Sequence, residues 1–581
     1  MNEETLKKVT QKAELWLSGN YDEETKQEVE QMLESEDKSL LIDAFYKELE
    51  FGTGGLRGIM GPGTNRINKY TIGSATQGLS NYLLKEFSDI NQIKVAIGHD
   101  NRNNSRKYAE ISADIFSANG IKVYLFEALR PTPEVSYAIR KLGCQSGIMI
   151  TASHNPKEYN GYKAYWNDGA QVLAPHDKNI IVEVNRIQKV DDIKFEGNPK
   201  LINIIGKDMD KAFIEEAMKL SLSPEAIKNQ HDLKIVYTPI HGAGITLIPE
   251  ALKTVGFTNV INVPEQDVIS GDFPTVVSPN PEEPAALKLA VEKALETDAE
   301  IVMATDPDAD RIGTAVRNDE NEFVLINGNQ TLIIYLYYLI TRWRELGKIK
   351  GKEYAVKTIV TSELAKKIAE KNGVELFDTY TGFKWIADII RKNEDTKTYI
   401  GGGEESYGFL AGDFVRDKDS VSACMIFAEI AAWAKDNGKT VYQLLQDIYI
   451  EYGYSKEEGI SLVRKGKEGG EEIEAMMKNF RENPLTKIAG SDVILLKDYS
   501  SLKAIDYVAK EELTLSMPTT ANVLQYMTED GTKLSIRPSG TEPKIKFYIE
   551  VQSKVASREE LKEAEATAQK KVELIRSELS I

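Results

Sequence analysis

Asp306, Asp308 and Asp310 alternate in Asp306-Pro-Asp-Ala-Asp-Arg311, directly after the apolar run Ile301-Val-Met-Ala-Thr305. Three carboxylates this close repel one another, and their pKa values rise unless a cation sits among them. Hard oxygen donors suit Mg2+ or Ca2+. An EF-hand is excluded, because Arg311 stands where its glycine is needed and Arg317 where its glutamate is needed. Three carboxylates leave room for a phosphate oxygen, which suits Mg2+; the competing reading is a solvated acidic turn. Ser153 lies in Thr151-Ala-Ser-His-Asn-Pro156, a tight turn closed by proline. No G-x-S-x-G elbow surrounds it and the histidines show no hydrolase spacing, which disfavours a Ser-His-Asp hydrolase. Ser153 is then either a plain turn former or a phosphoryl carrier. A phosphorylated Ser153 would bring nearly two negative charges, which a cation held by the aspartates could compensate.

Two glycine-containing segments carry an arginine, Gly52-Thr-Gly-Gly-Leu-Arg-Gly58 and Arg537-Pro-Ser-Gly-Thr541. Backbone N–H groups in such turns cradle phosphate, and arginine adds bidentate bonds. Neither matches a P-loop: Gly438-Lys-Thr440 resembles its end, but Trp433 occupies the first glycine position. His241-Gly-Ala-Gly244 lacks the third glycine of a dinucleotide fingerprint. Lys163 follows the Ser153 loop, Lys384 lies in Thr381-Gly-Phe-Lys-Trp385 and Lys418 in Arg416-Asp-Lys-Asp419; taken singly, each reads as solvated surface.

These residues need elements to hold them, and one order of elements occurs three times. A strand, a helix ending at glycine and a second strand run through Ile93–Phe126, Leu233–Val263 and Tyr354–Phe377, with glycines at Gly120, Gly256 and Gly373. Each copy adds another helix and a third strand, Gly147–Thr151, Ile301–Thr305 and Thr398–Gly401. This predicts right-handed crossovers in largely parallel sheets. The Ser153 loop, the Asp306 loop and Gly403-Glu-Glu-Ser-Tyr-Gly408 then fall at the carboxyl ends of third strands, where α/β sheets put ligand sites. Three such loops predict a shared cleft. Helices are expected over residues 3–48, and a smaller α+β domain after about residue 456, with a final charged helix. The division expected is 1–48 helical extension, 49–205, 206–325 and 326–455 for the three α/β units, and 456–581 for the last domain.

The chain has 581 residues and a net charge of −18, with 41% apolar and 28% charged residues. That surface disfavours nucleic acid and anionic lipid as general partners but permits a basic pocket for a small anion. Cys144 and Cys424, both in apolar stretches, read as free buried thiols in a reducing compartment. The first residues lack a signal peptide's apolar core, and the longest apolar run, Leu332–Ile340, is too short to span a bilayer. A cytoplasmic protein without membrane or nucleic-acid partners is expected.

In their order along the chain, the segments at Thr151–Pro156, Asp306–Arg311, Gly403–Gly408 and Arg537–Thr541 resemble the four signature loops of the α-D-phosphohexomutase superfamily. The resemblance covers residue 50 to the end. It implies three similar mixed α/β domains plus a smaller C-terminal, TATA-binding-protein-like α+β domain around a central cleft. It implies an Mg2+-dependent intramolecular phosphotransfer on a sugar phosphate, primed by glucose 1,6-bisphosphate, in a monomer. Ser153 would be the phosphoserine, with Asp306, Asp308 and Asp310 as metal ligands and the Ser153 phosphate as a further ligand. Lys163 would be the acid or base near the serine and Arg57 a charge stabiliser. Glu404 and Ser406 would hold sugar hydroxyls; Arg537, Ser539, Gly540 and Thr541 the phosphate not transferred; Arg311, Thr381 and Lys418 further substrate contacts. The Gly403-Glu-Glu-Ser406 sequence resembles the glucose/mannose type. Lys384, standing where many members carry histidine, the long helical preface and Ser420 resemble the longer branch that includes phosphoglucomutases and phosphopentomutases. Mannose and pentose phosphates, a non-catalytic phosphosugar-binding protein and a phosphatase remain alternatives.

Overall fold

The computed structural model of the protein describes residues 3–50, 55–464, 466–539 and 544–581. Helices Glu3–Ser18, Glu23–Glu34 and Ser39–Phe45 form the preface. Their apolar stripes meet in a cluster of Val9, Ala13, Trp16, Val29, Leu41 and Phe45 that closes on Tyr70 of the first α/β unit. Trp16 stacks on Tyr21 with ring centroids 4.3 Å apart.

The first sheet contains β1 (Gly55–Ile59), β2 (Lys94–His99), β3 (Lys122–Phe126), β4 (Ser146–Ile150), β5 (Tyr159–Trp166) and β6 (Ile202–Ile205), in the order β1-β5-β4-β2-β3-β6. The second contains β7 (Ile235–Thr238), β8 (Val260–Asn262), β9 (Ile301–Thr305), β10 (Ile312–Arg317) and β11 (Phe323–Ile326), ordered β11-β10-β9-β7-β8. The third contains β12 (Glu353–Thr358), β13 (Glu375–Thr379), β14 (Thr398–Glu404) and β15 (Gly408–Ala411), ordered β13-β12-β14-β15. One pattern recurs. The first strand of each copy lies between its second and third and is parallel to both: β2 pairs β3 and β4, β7 pairs β8 and β9, β12 pairs β13 and β14. The next strand returns antiparallel beside the third.

The three polar loops are therefore the turns between a third strand and its antiparallel return. β4 and β9 are buried along their whole length, as strands covered on both faces must be. Gly120, Gly256 and Gly373, predicted to end the crossover helices, have φ of 78°, 127° and 69°, the left-handed side that residues with a Cβ avoid. The third strand of the third copy runs three residues beyond its expected end at Gly401 and carries Glu404 at its tip.

The C-terminal sheet contains β16 (Tyr454–Val463), β17 (Lys487–Ile488), β18 (Ser491–Asp498), β19 (Lys503–Asp506), β20 (Glu511–Thr514), β21 (Leu524–Thr528), β22 (Lys533–Pro538) and β23 (Lys544–Ser553). Its path is β16-β23-β22-β21-β18-β19-β20, antiparallel throughout. The helices Gly466–Glu482 and Arg558–Leu579 pack on it, which is the expected α+β arrangement. Cys144 and Cys424 are buried free thiols. No helix among the described residues is long and apolar enough to cross a membrane.

Candidate active site

The loops converge on one cleft of about 640 Å³. Arg57, Ser153, Lys163, Arg311, Thr381, Lys384, Glu404, Ser406, Lys418, Arg537 and Ser539 all line it. Gly540 and Thr541, and Gly52–Gly54 of the first glycine segment, lie outside the described residues.

Ser153 sits at a left-handed φ of 53°. Its N–H donates to Thr151 Oγ1 at 2.8 Å, and its Oγ donates to Asp306 Oδ2 at 2.8 Å. Asp306 Oδ1 accepts the backbone N–H groups of Asp310 (3.1 Å) and Arg311 (3.0 Å), which folds the loop back on itself. Beneath it packs His241-Gly-Ala-Gly244: Ala243 N–H donates to the Pro307 carbonyl at 2.8 Å. A Cβ on Gly242 would lie 2.5 Å from Pro307 Cα, so only glycine permits that approach.

Oxygens of Asp306, Asp308 and Asp310 lie within 4.8 Å of one another, and all three residues are buried. Lys163, on β5, donates to Asp308 Oδ2 at 2.7 Å and Asp310 Oδ2 at 2.9 Å. Lys418 pairs with Asp310 Oδ2 at 2.8 Å. Burial pushes Asp306 well above the usual carboxylate range, and its two carboxylate neighbours add to that. Burial would also raise Asp308 and Asp310, but the lysines outweigh it and hold both below that range. Asp308 Oδ1 and Asp310 Oδ1 are buried and accept no hydrogen bond from a described residue. Orphaned buried carboxylate oxygens are costly. Two such atoms beside a third carboxylate and a serine hydroxyl form an all-oxygen donor set, which fits Mg2+.

Around this centre the domains interlock. Thr132 of the first unit donates its hydroxyl to Asp308 Oδ2 (2.8 Å) and its N–H to the Asp308 carbonyl (2.8 Å). Asp417 of the third unit accepts the Tyr165 hydroxyl (2.8 Å) and the Gln171 amide (2.9 Å) of the first, directly beside Lys418. Arg311 bridges to Gly408, and Ile312 N–H donates to the Tyr407 carbonyl at 3.1 Å, so the aspartate and Glu404 loops share backbone contacts. The Arg311 guanidinium pairs with Glu282. Glu404 is buried and accepts Gly382 N–H at 3.3 Å; burial raises its pKa, opposed by Lys418 and Arg311. Arg57 donates to Asn155 Oδ1 at 3.3 Å. Arg537 ends β22, and Ser539 N–H donates to the Lys544 carbonyl at 2.8 Å.

The sequence reading passed over Thr132, Asp417, Tyr165 and His154, whose Nδ1 lies 3.3 Å from Ser153 Oγ. Each acts across a domain boundary or through its neighbour, and spacing along the chain carries no signal for that.

Residues 48–191, 211–320, 327–452 and 461–568 match the models of domains I, II and III and the C-terminal domain of the phosphoglucomutase/phosphomannomutase family. The chain belongs to this family. It is 37% identical to a phosphoglucomutase of Staphylococcus haemolyticus over 505 residues, 87% of this chain and 90% of that protein. It is 34% identical to a human phosphopentomutase over 562 residues, 94% of this chain and 91% of the relative. Among solved structures, a phosphoglucomutase of Paramecium (pp63/parafusin, open form) superposes with a TM-score of 0.66 at 20% identity, covering 88% of this chain and 91% of that one. That likeness bears on the fold. The family and the buried aspartate cluster support an enzyme that catalyses an Mg2+-dependent phosphotransfer of the phosphohexomutase type.

Proposed function

We propose that the protein is a phosphoglucomutase that interconverts glucose 1-phosphate and glucose 6-phosphate through phospho-Ser153 and glucose 1,6-bisphosphate, which also serves as primer. The observation that carries this is Ser153 Oγ, 2.8 Å from Asp306, in a cleft that Arg537 and Ser539 also line. A sugar hydroxyl attacks the phosphorus of phospho-Ser153 as the bond from phosphorus to Oγ breaks; Oγ takes a proton from the Lys163 ammonium, and the proton released by the sugar hydroxyl restores that ammonium. The bisphosphate turns in the cleft and returns its other phosphoryl group to Ser153. Arg537, Ser539, Gly540 and Thr541 hold whichever phosphate is not being transferred. Glu404 and Ser406 hold the hydroxyls of either orientation, and Arg311, Thr381 and Lys418 make further contacts. Arg57 offsets the charge on the transferring group. Asp306, Asp308, Asp310 and the Ser153 phosphate would hold Mg2+, whose chemistry there is neutralisation of the charge on the transferring phosphoryl group. The uncatalysed cleavage of a phosphate monoester is so slow that the site must supply on the order of 20 kcal/mol; water must also be kept from phospho-Ser153. We infer a cytoplasmic monomer with the four loops held by units 49–205, 206–325, 326–455 and 456–581.

The similarity to a phosphopentomutase over nearly the whole chain favours pentose phosphates as the second reading. Mannose phosphates fit the family description. The deciding assay compares kcat/KM on the three sugar phosphates with Mg2+ and glucose 1,6-bisphosphate; a pentose or mannose preference of tenfold or more replaces glucose. Ser153→Ala is expected to abolish turnover with the fold intact, and full activity in that variant rejects the carrier role. Steady phosphate release without isomerisation would mark a phosphatase, and binding without turnover a non-catalytic protein.

A further inference from the structure

Arg102 follows β2, within Asp100-Asn-Arg102, and has no part in the reading above. Its side chain is wholly buried. Nη1 donates to the carbonyls of Pro156 (2.7 Å) and Tyr159 (3.0 Å), and Nη2 to those of Ser153 (2.7 Å) and Asn155. Four carbonyls of one short segment thus converge on one cation. Beyond this fork the segment is held by Ser153 N–H on Thr151 Oγ1, by Arg57 on Asn155 Oδ1 and by Met60 N–H on the Glu158 carbonyl at 2.8 Å. Two turns close it, Asn155 N–H to the Ala152 carbonyl at 3.2 Å and Tyr159 N–H to the Pro156 carbonyl at 3.1 Å. Ser153 meanwhile keeps a left-handed φ that a residue with a Cβ holds only when its surroundings over-determine it. With its carbonyl drawn to Arg102, Ser153 keeps its hydroxyl on Asp306.

Arg102 is itself fixed from two sides. Asp100 Oδ2 lies 3.3 Å from its Nε, and Asp100 Oδ1 accepts Arg102 N–H (2.9 Å) and the Ser105 hydroxyl (2.6 Å). From the second unit, the face of Phe273 covers the guanidinium at 5.1 Å. The neighbours of Phe273 lock that contact: Asn101 donates to the Ser270 carbonyl at 2.7 Å and Asn103 to Asp272 Oδ1 at 2.9 Å. The second unit is also the one that carries Asp306, Asp308 and Asp310.

We propose that Arg102 is a positioning residue for phosphoryl transfer: its fork of hydrogen bonds sets the Ser153 loop, and the Phe273 segment fixes that setting relative to the aspartate loop. This rests on Ser153 being the phosphoryl carrier. A lysine in its place offers a compact ammonium without the planar fork, so it can keep the charge without reproducing all four bonds. Displacement of a reacting group by about 1 Å costs roughly a hundredfold in rate.

The test uses the full chain with Mg2+ and glucose 1,6-bisphosphate. Arg102→Lys is expected to lower kcat about a hundredfold with KM for the sugar phosphate within about threefold. Phosphorylation of Ser153 by the bisphosphate, read by intact mass, should slow by a similar factor. Arg102→Ala should regain part of that rate in added guanidinium chloride at concentrations below those that unfold it. Phe273→Leu, which leaves the four bonds in place, should lower kcat about three- to tenfold. Arg102→Lys with kcat within threefold of the parent overturns the proposal. So does a loss that matches the unfolded fraction, or one confined to KM. Should neither Arg102 variant fold, Phe273→Leu decides, and an unchanged kcat and phosphorylation rate overturn it. Ser153→Ala is run in parallel: full activity there removes the carrier reading itself, whereas an inactive Ser153→Ala beside an active Arg102→Lys removes only the role of Arg102.

Discussion

Lys533→Met tests how the C-terminal unit is joined to the third. Lys533 opens β22, the strand that ends in Arg537 and Pro538, and its side chain is 1% exposed. Its ammonium donates to the Thr361 carbonyl (2.7 Å) and Glu363 Oε1 (2.8 Å) of the third unit, and pairs with Glu550 Oε2 at 2.9 Å on the adjacent strand β23. Burial opposes the Lys533 charge, but Glu363 and Glu550 outweigh it and hold its pKa above the ordinary lysine value. An exposed ion pair would be worth about 0–1 kcal/mol, whereas removing one partner of a buried pair costs about 3–5 kcal/mol. Glu363 keeps Lys357 at 3.0 Å, while Glu550, 3% exposed, loses its one ion-pair partner among the described residues. One stranded carboxylate places the expected loss at the lower end, about 3 kcal/mol, or roughly 150-fold in an opening equilibrium. Native-state hydrogen exchange of the β22 and β23 amides reads that directly. Adding Glu550→Gln removes the stranded charge and should recover most of the loss. An acceleration under about fivefold in Lys533→Met, or a double variant worse than the two single losses combined, refutes the argument that this joint is held by mutually compensated buried charge.

Asp419 caps the helix Ser420–Asp436 by accepting Val421 N–H at 2.8 Å and Ser422 N–H at 3.2 Å, and burial raises its pKa from 3.8 to about 6. The folded state therefore binds its proton more tightly; that stabilisation is present below about pH 4 and is lost as pH rises through about 6. Asp419→Asn keeps the acceptor without the charge, so the deficit of the parent relative to the variant should grow by about 1.4 kcal/mol between about pH 5 and pH 8 in denaturant titrations; an unchanged difference contradicts the assignment. Asp306→Asn, Asp308→Asn and Asp310→Asn should each weaken Mg2+ binding in calorimetry at least tenfold, and chelation should abolish turnover until Mg2+ is restored; parent-like affinity in all three would move the metal elsewhere. Tyr165→Phe removes the hydrogen bond to Asp417 beside Lys418 and should cost about 1.5 kcal/mol in kcat/KM, roughly tenfold, with the fold retained; an unchanged kcat/KM shows that Lys418 does not depend on it.

Three strands of each repeated unit, and the loops after the third, were legible in the chain because each rests on a local rule. β4 and β9 read as strands because a strand covered on both faces is a short apolar run, and Gly120, Gly256 and Gly373 ended helices because glycine adopts their φ without strain. The return of β5, β10 and β15 antiparallel to the third strands was not legible. A strand's direction relative to its neighbour is set by the length and path of the loop, here the functional loops themselves, and its own residues say nothing of it. The same limit hid the supports of the site. Thr132 stands 176 residues from Asp308, and Tyr165 stands 252 from Asp417, and neither Thr132, Tyr165 nor Asp417 is unusual in type or surroundings along the sequence.

The charge of the chain points one way and the cleft the other. A protein of net charge −18 repels anions over its surface, yet Arg57, Lys163, Arg311, Lys418, Arg537 and Lys546 all face the cleft. Lys163, Arg311 and Lys418 are held there by the very carboxylates they neutralise: Asp308 and Asp310, Glu282, and Asp310 with Asp417. Each cation is thereby oriented before any substrate arrives, so a phosphate entering the cleft meets donors whose side-chain entropy has already been lost on folding. The acidic exterior would not strengthen that pocket; it makes the pocket the favourable destination for a small dianion, since a larger polyanion would have to cross the repelling surface around it.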